Sequence, residues 1–151
     1  MNHWVLFDKA VVTARISSVE QRPVNALGAG TGDPLQEIID NVVAEVRTAV
    51  ATCARNRLDP DPRKIPASLV NDACSLVVYY FATRAPGAKI LAEDARYQAW
   101  AKANEKLNRV RSCEIAVEDY ATGAVSGGIS SGAQTVHATK LRLSRRIFDK
   151  L

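Results

Sequence analysis

The stretch Asp33-Pro-Leu-Gln-Glu-Ile-Ile-Asp-Asn-Val-Val-Ala-Glu-Val-Arg-Thr-Ala-Val-Ala-Thr-Cys-Ala-Arg-Asn-Arg57 decides how this chain reads. Asp33 is a good helix N-cap, Pro34 suits the first helical position, and Gln36 stands where a capping-box partner would. Leu35, Ile38, Ile39, Val42, Val43, Val46, Val50 and Cys53 recur at helical spacing, with Glu37, Asp40, Asn41, Glu45, Arg47 and Arg55 largely on the other faces. The spacing predicts one amphipathic helix from Pro34 to about Arg57. Asp59-Pro-Asp-Pro62 must end it, because proline cannot continue a helix.

Downstream, Pro66 opens a second predicted helix that reaches about Thr83. Asp72 is its only charge before Arg84, as expected of the most buried helix. Pro86-Gly87 breaks it. From about Leu91 to Ala121 runs a charged amphipathic stretch in which Trp100, Ala103, Leu107, Val110, Val117 and Tyr120 step by threes and fours. One helix of that length would span ~45 Å, and two helices meeting near Arg111-Ser112 fit the pattern equally. Gly123 stops the run, as glycine commonly does just past a helix end. Upstream, Trp4-Val-Leu-Phe7 and Ala10-Val-Val12 suit a short strand or, with Asp8 as cap, a short helix. The fold class expected is all-α: a small helical bundle with a long C-terminal helix. After it come a flexible linker and an extended arm able to pair as a β-hairpin, since Thr135-Val-His137 and Lys140-Leu-Arg-Leu143 alternate in strand fashion. This divides the chain into a lead-in (1–33), a helical body (34–122), a linker (123–139) and an arm (140–151).

The whole chain carries +4, and residues 1–139 hold fifteen basic and fifteen acidic side chains. The surplus therefore sits in the arm, where Lys140, Arg142, Arg145, Arg146 and Lys150 face Asp149 alone. Leu141, Leu143, Ile147, Phe148 and Leu151 interleave with those cations. A merely solvating tail has no need of them. Arginines with aromatic and aliphatic anchors make a protein-docking segment, and Lys140, Arg142, Leu143, Arg145, Arg146, Ile147, Phe148 and Leu151 are its candidate contacts. About five cations limit phosphate binding, so nucleic acid is the less apt partner.

Other chemistry is thinly represented. The loop Gly28-Ala-Gly-Thr-Gly32 precedes a helix N-terminus, where anions are favoured. It lacks a following lysine, and Asp33 would place its own carboxylate there. Asp59 and Asp61 fall short of the ~6–8 oxygens that calcium takes. His3 and His137 are the only histidines, and neither stands in a patterned site. Three cysteines without a Cys-x-x-Cys pair argue against a disulfide framework and against structural zinc. Cys53, Cys74 and Cys113 each read as small buried apolar residues of helices. No enzyme, cofactor or metal is expected. No window approaches eighteen consecutive apolar residues, and the first residues lack a signal-peptide pattern, so no membrane span and an intracellular place of assembly are expected.

Ile38-Ile-Asp-Asn-Val-Val-Ala-Glu-Val-Arg47, Arg57-Leu-Asp-Pro60, Ile65-Pro-Ala-Ser-Leu-Val-Asn-Asp-Ala73 and Val78-Tyr-Tyr-Phe-Ala-Thr-Arg84 follow one another in the body. With Gly123-Ala-Val-Ser126 and Arg145-Arg-Ile-Phe148, they resemble tailed-phage head–tail connector (neck) proteins, including the Mu-like prophage family. The resemblance covers residues 34–126 and the arm. The closing helix is longer than usual for that family and the linker is extended. It implies a virion structural protein assembled in the host cytoplasm, forming a ring of commonly twelve copies at the portal vertex. It further implies that the C-terminal arm docks on the portal, that a tail or stopper protein meets the opposite face, and that DNA passes through the channel without sequence-specific contacts. A small helical nucleic-acid-binding regulator using the basic arm is the alternative reading of the residues themselves.

Overall fold

The computed structural model describes residues 3–15, 32–84 and 94–125. In chain order these form strand β1 (Trp4–Leu6), helix α1 (Lys9–Thr13), helix α2 (Pro34–Thr52), strand β2 (Lys64–Pro66), a 3-10 turn (Ala67–Leu69), helix α3 (Val70–Arg84) and helix α4 (Asp94–Arg111). The protein is mostly helical, with α2, α3 and α4 packed on one another. Both readings of the first residues hold side by side, a strand and then a helix that Asp8 caps by accepting from the Val11 amide.

Helix α2 begins as its sequence dictates. The Asp33 carboxylate accepts from the backbone amides of Leu35 and Gln36, and Pro34 occupies the first turn. Leu35, Ile38, Ile39, Val42, Val43, Val46, Ala49 and Val50 are buried along one stripe. The helix stops at Thr52, short of the expected Arg57. There the Cys53 amide turns back to the Val50 carbonyl, which also accepts from the Asn56 side chain. Helix α3 is buried along Val70, Ala73, Cys74, Leu76, Val77, Val78, Phe81 and Ala82. It is the central element, as its scarcity of charge implies.

Strand β1 pairs antiparallel with β2, placing Trp4 opposite Pro66, Val5 opposite Ile65 and Leu6 opposite Lys64. Residues 3–15, read as a lead-in, are built into the common core: Trp4, Phe7 and Val12 are buried against residues of α2, α3 and α4. One side chain holds the loop that makes this possible. Arg47 projects from α2 and donates to the carbonyls of Asp59 (2.8 Å), Asp61 (2.9 Å) and Lys64 (2.7 Å). Its guanidinium carbon also lies 5.6 Å from the centre of the Trp4 ring, a cation–π distance.

The stretch expected to be helical to Ala121 departs from that expectation. Helix α4 ends at Arg111. The Cys113 amide donates to the Val110 carbonyl (3.1 Å) and the Glu114 amide to Arg109 (2.9 Å). This is the double bond pattern of a Schellman cap. Cys113 takes its left-handed position, at φ 61°. Residues 112–125 then run along the body, burying Val117 and bridging Glu118 to Val125.

The cysteines require a second correction. Cys53 and Cys113 form a disulfide, with Cα atoms 5.4 Å apart, that joins the ends of α2 and α4. Only Cys74 is the free, buried thiol that the sequence suggests. Closing a loop of 60 residues stabilises the fold by about 4 kcal/mol on the chain-entropy account.

Replacing Arg47 with methionine keeps most of the stem but leaves the carbonyls of Asp59 and Lys64 without a donor, while Asp61 keeps the Lys64 amide. Urea unfolding should show a loss of about 3 kcal/mol. Arg47→Lys should recover only part of it, because an ammonium cannot match the planar fork.

Candidate functional site

The residues singled out for docking, Lys140, Arg142, Leu143, Arg145, Arg146, Ile147, Phe148 and Leu151, lie outside the described residues, as does His137. What the structure does describe is the place from which that segment departs. Residues 117–125 are fixed to the body at several points. Trp4 Nε1 donates to the Glu118 carbonyl (2.8 Å), reaching across 114 positions of sequence. The Glu118 carboxylate accepts from the Ser68 amide (3.1 Å) and hydroxyl (2.7 Å), capping the 3-10 turn that leads into α3. Lys106 braces the same corner, donating to the Ser68 carbonyl (3.0 Å) and pairing with Asp72 (2.6 Å).

Beyond Glu118 the chain turns sharply. Asp119 accepts from the amides of Ala121 and Thr122, the Gly123 amide returns to the Asp119 carbonyl, and the Asp119 amide bonds to Ala124. These backbone amides, Thr122 first, hold the Asp119 carboxyl below its ordinary value of 3.8. Gly123 is left-handed (φ +68°), and a side chain there would run into the His3 imidazole. The described chain ends at the exposed Val125.

The other candidates resolve into structural roles. At the helix N-terminus after the glycine loop, the Asp33 carboxylate itself occupies the position an anion would take. The side-chain bond from Lys9 (3.0 Å), ahead of the backbone amides, holds that carboxyl below 3.8. Asp59 accepts from the Asp61 amide, and Asp61 from the Arg63 amide, so both carboxylates shape the turn that Arg47 grips. Burial pushes the Cys74 thiol up to about 11, which leaves it protonated near neutrality. Among the described residues, no three of His, Cys, Asp and Glu group together as a metal site. No helix among them is long and apolar enough to cross a membrane.

Two surface features were not legible beforehand. A half-open groove of about 620 Å³ lies between the β1–α1 corner and α2, with Leu6, Phe7 and Val43 as apolar wall and Asp8, Asp40 and Arg63 around it. The Arg47 guanidinium beneath it is committed to the loop carbonyls, and the Thr48 hydroxyl donates to Ala44. Neither is poised to attack a bound molecule. On the α3–α4 face, Tyr79 stacks on Trp100 (centroids 4.7 Å apart) and Tyr97 leans on both. No known protein family, curated protein or solved structure matches this chain.

Two substitutions test these assignments. Asp33 has a lowered folded pKa, so its contribution is present above the ordinary value of 3.8 and lost as pH falls through the lower folded value. Asp33→Asn keeps the cap without the charge. It should change stability at pH 7 by less than about 1 kcal/mol and flatten the acid limb below about pH 4, as read by thermal unfolding across pH. Gly123→Ala should cost about 1–2 kcal/mol from the left-handed backbone alone. It should cost more while His3 is present, and His3→Ala in the same chain should return the excess.

Proposed function

We propose that this protein is a virion structural protein, a head–tail adaptor that assembles side by side into a ring at the portal vertex. Its segment 140–151 docks on the portal. The observation that carries the reading is the fixed departure point of that segment. Trp4, Glu118 and Ser68 clamp the chain just before Val125. The fourteen residues 126–139 can then span at most about 50 Å. A docking peptide on a bounded tether from a rigid body gains effective concentration at a neighbouring surface.

Two further observations support it. The charged side chains of the described residues number thirteen of each sign, so the body is neutral and identical copies can approach without net repulsion. Of the runs quoted above for the neck-protein resemblance, the four from Ile38 to Arg84 fall in α2, the Arg47-gripped loop, β2 and α3, which form the body that would pack into the ring. A tail or stopper protein would meet the opposite face, and DNA would pass through the channel.

The full chain carrying Arg145→Glu, Arg146→Glu and Phe148→Ala should bind the portal at least about 100-fold more weakly, as expected for loss of a hot-spot cluster. Ring formation, read by negative-stain microscopy and light scattering, should persist. Unchanged portal binding would remove the arm from the function. A monomer with and without portal would count against the ring. Duplex-DNA binding that falls steeply with salt would favour the nucleic-acid regulator instead.

A further inference from the structure

The Cys53–Cys113 bond joins two residues of unequal exposure: Cys53 is 2% exposed at the end of α2, whereas Cys113 is half-buried just past α4. We infer that this pair is a redox-operated fastening that sets whether residues 112–116, the near end of the root of the C-terminal segment, are held on the body.

Three observations converge on it. First, apart from Ile115, which packs against the core, little else ties the near end of that root to the body. Among the described residues, the hydrogen bonds of residues 112–115 stay within 108–115, at α4's own last turn. Second, Cys113 stands at the left-handed position of the Schellman cap, which glycine ordinarily fills. That backbone disfavours a residue bearing a Cβ. With the sulfur bonded to Cys53 the turn is held. Once the bond is open, only the cap's own backbone hydrogen bonds oppose the preference of Cys113 to leave it. Third, the far end of the root is fixed independently through Glu118, so opening the bond loosens a defined stretch and leaves the α2–α3–α4 core in place.

The chemistry is thiol–disulfide exchange. A low-molecular-weight thiolate attacks Sγ of the more accessible Cys113, the S–S bond breaks, and Cys53 leaves as a thiolate that takes a proton. A second thiolate resolves the mixed disulfide, so two small thiols become one small disulfide while Cys53 and Cys113 end as thiols. Closure is the reverse, with an oxidised small-molecule disulfide accepting the two electrons. In a reducing cytosol the fastening stands open, and in an oxidising medium it closes. Resting on the adaptor reading, this makes the segment's root loose during assembly and fixed in the released particle.

The test is hydrogen exchange read by mass spectrometry on the full chain, with and without excess dithiothreitol, beside thiol titration of the unfolded protein. After incubation with oxidised glutathione the chain should titrate one thiol, Cys74, and after reduction three. Reduction should speed exchange at residues 112–116 at least about tenfold, to well above the rate at residues 76–81 of α3, which follows the global stability of the reduced chain. Cys53→Ala should show the fast pattern without reductant. Three thiols after oxidation, or equal protection of 112–116 in both states, would overturn the inference. So would matching exchange rates at 112–116 and α3 in the reduced chain, since the bond would then be only a general stabiliser. The wild-type comparison stands even where Cys53→Ala fails to fold. None of these readouts involves a ring or a portal, so failure here is separable from failure of the adaptor reading.

Discussion

The guanidinium of Arg47 is the constraint on which the remaining structure depends. The loop between α2 and β2 carries Asp59-Pro-Asp-Pro62, and its prolines can donate no backbone hydrogen bonds of their own. Three carbonyls of this stretch face Arg47, and of these only Asp61 has another donor, the Lys64 amide. Arg47 satisfies all three with one planar, permanently charged fork. Charge-assisted bonds of this kind are roughly twice as strong as neutral ones, and their geometry fixes the loop's position. With the loop fixed, β2 has a defined place, and β1 can pair with it across about 60 residues of chain.

From β1 the constraint passes onward through Trp4. The Arg47 guanidinium lies on one side of the indole, while the indole Nε1 donates to Glu118. Glu118 in turn satisfies the Ser68 amide and hydroxyl where the chain enters α3. A single line of polar contacts thus runs from the middle of α2, through the first residues, to the last described ones. Each member is a group whose partner is distant in sequence. A defect at Arg47 would therefore reach the departure point of the C-terminal segment as well as the loop it grips directly.

This explains which parts of the fold were legible in the sequence. Helix α2 was legible because its signals are local: an N-cap, a proline at the first position and an apolar stripe at helical spacing. Helix α3 was legible for the same reason. The end of α4 was not, because its cap uses Cys113 where a glycine is the recognisable sign, and because Val117 and Tyr120 continue the apolar steps by coincidence. The disulfide was hidden by the same periodicity. Cys53 and Cys113 each fit a helical stripe, and nothing local pairs two residues 60 positions apart. Strand β1 could be read only as an ambiguity, since three residues have no period to measure, and its partner is set by Arg47. The arginine itself read as one charge on the polar side of α2. The segment from Lys140 onward was selected by charge and composition, which speak to its chemistry and not to its placement. The groove beside β1 draws its walls from residues far apart in sequence, and no local pattern announces it.

The balance of charge carries the remaining argument. Many of the body's ions are used at short range within the body: Lys9 with Asp33, Lys64 with Asp59, Lys106 with Asp72, Arg84 with Glu37 and Arg111 with Glu45. The exposed pairs among them, Lys9–Asp33 and Arg84–Glu37, add little stability, and the consequence of the balance is mainly at long range: a neutral body casts a weak field beyond about a Debye length. On the adaptor reading proposed above, a partner surface would feel chiefly the cations of residues 140–151. That separation would let one segment steer encounter while another surface packs against copies of itself. The clamp at Glu118 matters for the same reason. A cationic peptide finds a partner best when the distance it can reach is bounded by the body that carries it.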